Sequence, residues 1–128
     1  MATATAERKP KATGHEMARR IRDLRIRKLG IDSRPPFARL LGVPENTIAR
    51  WESGQMEPRG QYKETLLHLD RLCEIMASST EPKALADWVV HPQAALENFR
   101  PIDLIGFEYG RRKLKAFVEE TGLTVESL

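Results

Sequence analysis

The chain has 128 residues, 41% of them hydrophobic and only 6% aromatic, with 30% charged and a formal net charge of +3. That length suits one ordinary domain or two very small ones, and no apolar run reaches membrane-spanning length. Cys73 is the single cysteine, which excludes an intramolecular disulfide framework and points to a reducing, cytoplasmic setting. Leu, Ala, Arg and Glu dominate, no stretch reads as a run of β-branched strands, and the expected fold class is all-α.

In chain order, residues 1–13 mix small residues, charges and Pro10 without a periodic face, and read as a disordered basic arm. They also lack the apolar block of a secretion signal. From 15 to 29, Met17, Ile21, Leu24 and Lys28 recur every three or four residues, which predicts a helix with Gly30 as its stop. Residues 1–30 hold nine Lys or Arg against three acids, a net of +6, while the remainder carries a net of −3. Such a split suits a phosphate-facing N-terminal part, although a solvated basic helix gives the same count.

The next segment, "SRPPFARLLG", predicts a helix from about Ser33 to Gly42. Pro35 and Pro36 have no N–H to offer a serine cap, yet suit a first turn whose amides lack intrahelical partners. Phe37, Ala38, Leu40 and Leu41 are its buried face. After the short turn Gly42–Val43, a helix from Pro44 to about Ser53 buries Ile48 and Trp51 and turns Glu45, Asn46, Ala49 and Arg50 elsewhere. A longer helix from about 61 to 78 has an apolar stripe wider than one small domain requires, which suits a dimer interface or docking of the second half. "SSTEP" is a break with Ser79 or Thr80 as candidate cap. Four helical pieces follow in "KALADWVV", "HPQAALENF", "RPIDLIG" and "FEYGRRKLKAFVEETG", one or two of them a single turn. The tail 123–128 alternates apolar Leu123, Val125 and Leu128.

Two short helices joined by a tight turn, with an apolar stripe setting their crossing, describe a helix-turn-helix. Its second helix presents its N-terminal residues and one face to the major groove. Arg50 matches guanine, Asn46 can pair with adenine and Glu45 can accept from cytosine. Arg34, Arg39, Thr47 and the helix N-termini would stand against phosphates, with Ala49 on the reading face. Glu45 equally serves as favourable charge at a helix start, and Arg50 as part of a solvated face.

"FARLLGVPENTIARWESG" resembles the helix-turn-helix of the phage-repressor-like Xre family through Phe37, Ala38, Leu41, Gly42, Val43, Thr47, Ile48, Trp51, Glu52 and Gly54, with Pro58 following. The resemblance implies a DNA-binding domain over 14–78. It implies base reading by Glu45, Asn46 and Arg50, and a structural pair between Glu52 and Arg25 or Arg27 of the first helix. Arg34 stands where the family has a glutamine, Pro44 where it has a capping Ser or Thr, and Asp32 where it is often apolar.

Residues 82–122 carry much apolar surface for a short segment. Trp88, Pro92, Leu96, Pro101, Asp103, Leu104, Ile105 and Gly110 resemble, in order and spacing, the toxin-binding domain shared by Xre, ParS and MbcA antitoxins. That resemblance implies Trp88 and Leu104 in the domain core and a cognate toxin of the NAD-consuming RES type as partner. Arg111, Arg112 and Lys115, with Leu123, Val125 and Leu128 of the tail, would touch the toxin.

His15, His68 and His91 are scattered, none has a second ligand at metal spacing, and no Gly-rich phosphate loop is present. No enzyme activity, metal or cofactor is expected. The sequence reading is a cytoplasmic, dimeric, DNA-binding antitoxin that represses its own operon by binding double-stranded operator DNA, with no membrane partner. A stand-alone regulator whose second half only dimerises, and a scaffold with a vestigial helix-turn-helix, remain open beside it.

Overall fold

The computed structural model describes residues 15–122. The expected arm, 1–13, and the tail with Leu123, Val125 and Leu128 lie outside the described residues. Within them the chain is all-helical, and no β-strand forms beyond one isolated bridge between Gln93 and Phe99.

Helix α1 runs over 15–23 and continues as a single π turn, Leu24–Lys28. The Leu29 amide reaches the Leu24 carbonyl at 2.9 Å, and Gly30 leaves the helix with φ of 63°. Ala18, Ile21, Leu24, Arg25 and Leu29 are buried. Lys28, expected on the apolar stripe, is instead held 2.6 Å from Asp70.

Helix α2, Arg34–Leu41, starts without a side-chain cap bond from Ser33, as its two prolines require. It ends at Gly42, whose left-handed backbone lets the Val43 amide reach back to the Ala38 carbonyl at 3.0 Å. Helix α3, Glu45–Ser53, follows at once. Pro44 stands at its cap position with no side-chain bond, and Gly54 ends it at φ of 80°. Phe37, Ala38 and Leu40 of α2 face Ile48 and Trp51 of α3 in the core, while Leu41 is only half-buried.

Helix α4, Gly60–Met76, packs on α1 and also on the short helix α6, Pro101–Ile105. Its wide apolar stripe thus serves both halves of the chain. One continuous core joins Ile21, Leu24 and Phe37 to Leu69 and Leu72, and these to Leu85, Leu104 and Leu114.

Helix α5, Pro82–Val90, is not capped by Ser79 or Thr80. The Ser79 hydroxyl instead donates to the Met76 carbonyl at 3.4 Å, closing α4, and Glu81 occupies the cap position. The stretch "HPQAALENF" holds one 3-10 turn, Ala94–Leu96, in keeping with the expectation that one or two of the four pieces are single turns. Glu97 and Asn98 adopt φ of 58° and 66°, the left-handed region in which asparagine is one of the more tolerant residues, and the chain reverses there. The Gln93 amide side chain bonds the Trp88 and His91 carbonyls at 3.1 and 3.0 Å, holding the loop to the end of α5. Helix α7, Glu108–Glu120, packs tightly on α6. Among the described residues no helix is long and apolar enough to cross a membrane.

Candidate nucleic-acid interface

The candidate interface starts from two residues that point inward. Ile48 and Trp51 are buried at three-residue spacing, and Glu52 beside them is buried as well. A helix advances about 100° per residue, so burying 48, 51 and 52 turns 46, 50 and 53 to the opposite side and 49 to the flank, while 45 is exposed as the first residue of the helix. Glu45, Asn46, Arg50 and Ser53 are exposed, and Ala49 and Thr47 are half-buried. Ala49 lies between the longer side chains, which leaves a shallow centre on this face.

Two arginines of α1 secure this helix. Arg25 donates to both Glu52 oxygens, from Nε at 2.7 Å and from Nη2 at 3.0 Å. Its Nη1 reaches the carbonyls of Ile31 and Asp32 at 3.1 and 2.9 Å, so the same guanidinium ties down the link to α2. Arg22 donates from Nη1 to the Glu52 carbonyl at the C-terminal end of α3. Helix α3 is therefore clamped by its buried side while its outer side stays clear. Of the two arginines expected to pair with Glu52, Arg25 does so. Arg27 turns to Asp23, 2.9 Å away on its own exposed helix face.

Arg34, the first residue of α2, also meets Glu52, from Nε at 3.1 Å, with its side chain 43% exposed. Arg39 is exposed on α2. The seven side chains expected to face nucleic acid, Arg34, Arg39, Glu45, Asn46, Thr47, Ala49 and Arg50, are thus carried by two adjoining helices. The chain matches no protein-family model, no curated protein and no solved structure.

The second half presents a different surface. Leu104 is buried, whereas Trp88 is only half-buried and stacks on Phe117 with ring centroids 5.7 Å apart. Arg111 departs from the outward face expected for it: it is half-buried and donates to the Ile105 carbonyl at 3.2 Å, at the end of α6. Arg112 is exposed and pairs with Glu108 at 2.8 Å, and Lys115 is half-buried. The large apolar exposure lies elsewhere, on Phe99 at 47%, Phe107 at 46% and Tyr109 at 62%. These aromatics belong to the apolar surface that the sequence of 82–122 carries. Phe107 directly precedes α7 and Tyr109 falls on its first turn, where a side chain can lie outside the packed stripe.

Asp70 and Gln61 of α4 supply three further polar contacts that the sequence pattern does not announce. Buried Asp70 on α4 accepts from Arg20 at 3.0 Å and from Lys28 at 2.6 Å, which fixes α1 against α4. Gln61 donates to the Gly106 carbonyl and ties α4 to the end of α6. Burial pushes the Cys73 thiol up to about 12, so this cysteine is a core residue and not a nucleophile. Among the described residues no cluster of three or more histidine, cysteine or acidic side chains is placed to hold a metal ion.

Proposed function

We propose that this chain is an Xre-like antitoxin of the cytoplasm, which binds its own operator as a dimer and neutralises a cognate toxin of the RES type. One observation carries the reading: α3 hides Ile48 and Trp51 while Asn46 and Arg50 stand together on its outer side and Glu45 is exposed at its N-terminal end. Those three side chains offer the donor and acceptor sets that base edges in a major groove require. On this reading α2 and α3 are the helix-turn-helix, with α2 across the DNA backbone and the basic α1 beside it. The dimer would place two such helices on half-sites about 34 Å apart.

The exposed Phe99, Phe107 and Tyr109 support a protein partner for the second half. The shared core on α4 favours the simpler alternative, a regulator whose second half mainly completes the fold.

Fluorescence anisotropy with the chain's own upstream duplex tests the DNA reading. Arg50→Ala is expected to weaken that complex by about 1–3 kcal/mol, with scrambled duplex little affected. Equal wild-type affinity for upstream and scrambled duplexes at physiological salt would overturn the repressor reading. Co-expression with the product of the adjacent gene tests the antitoxin reading. Restored growth and a stable complex are expected, and a neighbour that is not toxic would leave the stand-alone regulator.

A further inference from the structure

Glu52 has one carboxylate and two guanidinium partners. Arg25 grips it through Nε and Nη2 and spends Nη1 on two carbonyls, and both Arg25 and Glu52 are buried. Arg34 touches the same carboxylate through Nε alone, at 3.1 Å. One acid against two permanent cations leaves the cluster a unit of positive charge in excess. That excess resides on the exposed member, because Arg25 is enclosed. Among the described residues the two Nη groups of Arg34 have no partner.

A guanidinium held by Nε keeps its remaining two-nitrogen edge in a fixed plane, the shape that receives two oxygens of one phosphate. A lysine in this place would have one ammonium to divide between carboxylate and ligand. The neighbouring residues strengthen the case. Pro35 and Pro36 follow Arg34 and bring no N–H, so the backbone of this turn lacks two donors that could otherwise bind an anion.

We infer that Glu52 is a positioning residue for Arg34. It anchors Nε so that the Nη edge faces outward and takes a backbone phosphate of duplex DNA. The inference deepens the DNA-binding reading above and rests on it. Phosphate is assigned, and not a base, because on that reading α2 lies across the backbone while α3 enters the groove.

The test pairs two measurements on the full chain. In the free protein, the Arg34 Nε–H resonance is expected to be resolved and slow to exchange, and to collapse in Glu52→Asp. That variant keeps a charge for Arg25 but draws the carboxylate back. In anisotropy titrations, Arg34→Lys and Arg34→Ala are each expected to weaken binding about tenfold, on upstream and scrambled duplexes alike. Full affinity in Arg34→Lys, or a fast-averaged Nε–H signal in the wild type, would overturn the positioning role. A loss confined to the upstream duplex would assign Arg34 to a base and overturn the phosphate contact. Wild-type protein that binds neither duplex would overturn the DNA reading and the phosphate contact together. Wild-type binding with Arg34→Lys unimpaired would overturn this inference alone.

Discussion

Glu52 is a carboxylate 1% exposed, and its removal would leave the Arg25 guanidinium enclosed without a counter-charge. Breaking a buried pair from one side costs about 3–5 kcal/mol, even where the pair itself adds little over an apolar substitute. Glu52→Ala is therefore expected to lose that much stability in urea titration, whereas Arg34→Ala, at a half-exposed partner, should lose less than about 1 kcal/mol. Equal, small losses would show that the clamp is not what holds α3. The choice between Arg25 and Arg27 was legible in the spacing. Arg25 follows Ile21 by four residues and shares its buried side, while Arg27 falls across the helix. Asp70 was not legible, because its burial depends on Arg20 and Lys28, which are distant in sequence.

His68 on α4 carries a pH dependence. Burial first, and the Arg111 guanidinium second, hold its imidazole below the ordinary histidine range, with Arg71 acting in the same direction and Glu64 pulling the other way. Among the described residues its Nδ1 has no hydrogen-bond partner. The unfolded chain takes up this proton more readily than the folded one. The stability contribution is thus complete above about pH 6.5 and is lost as pH falls through the lower folded value. His68→Gln is expected to lose less melting temperature than the wild type between about pH 8 and pH 5. Parallel losses in the two proteins would remove His68 as a source.

At the scale of elements, the helices were largely readable, because periodicity and glycine stops are local signals. Gly42 and Gly54 end α2 and α3 in left-handed conformations, where a side chain is disfavoured. The 91–99 loop was not readable as such. Its reversal uses Glu97 and Asn98 in place of glycine, so the usual punctuation is missing. The π turn in α1 was equally hidden, since one added residue per turn leaves no mark in a short apolar stripe.

The contact of α6 with α7 depends on Gly110, where a Cβ would meet the Leu104 backbone carbonyl. A Cβ at Gly106 would meet the side-chain ends of Gln61 and Thr65, which can move aside. Gly110→Ala should accordingly cost about 1–3 kcal/mol by overpacking, and more than Gly106→Ala. The reverse order in thermal melts would contradict this packing.

Over the whole molecule, α4 joins both halves through one core, so the interface helices and the C-terminal helices share a foundation. The sequence division into 14–78 and 82–122 marks a change of composition and a break between helices. That the two segments bury their apolar faces against the same helix depends on tertiary docking, which periodicity does not report. The basic α1 and the outer side of α3 belong to one half, and the exposed aromatics Phe99, Phe107 and Tyr109 to the other. That separation would let a duplex and a protein partner use different surfaces.

On the proposed reading, nucleic acid meets the outer side of α3. Amide and side-chain shift mapping of the labelled full chain, titrated with its upstream duplex, tests it most directly. Shifts are expected to concentrate at Glu45, Asn46, Ala49 and Arg50, with Arg34 and Arg39 beside them and α7 unmoved. Shifts centred on α7, or none at a duplex concentration that saturates binding, would contradict it.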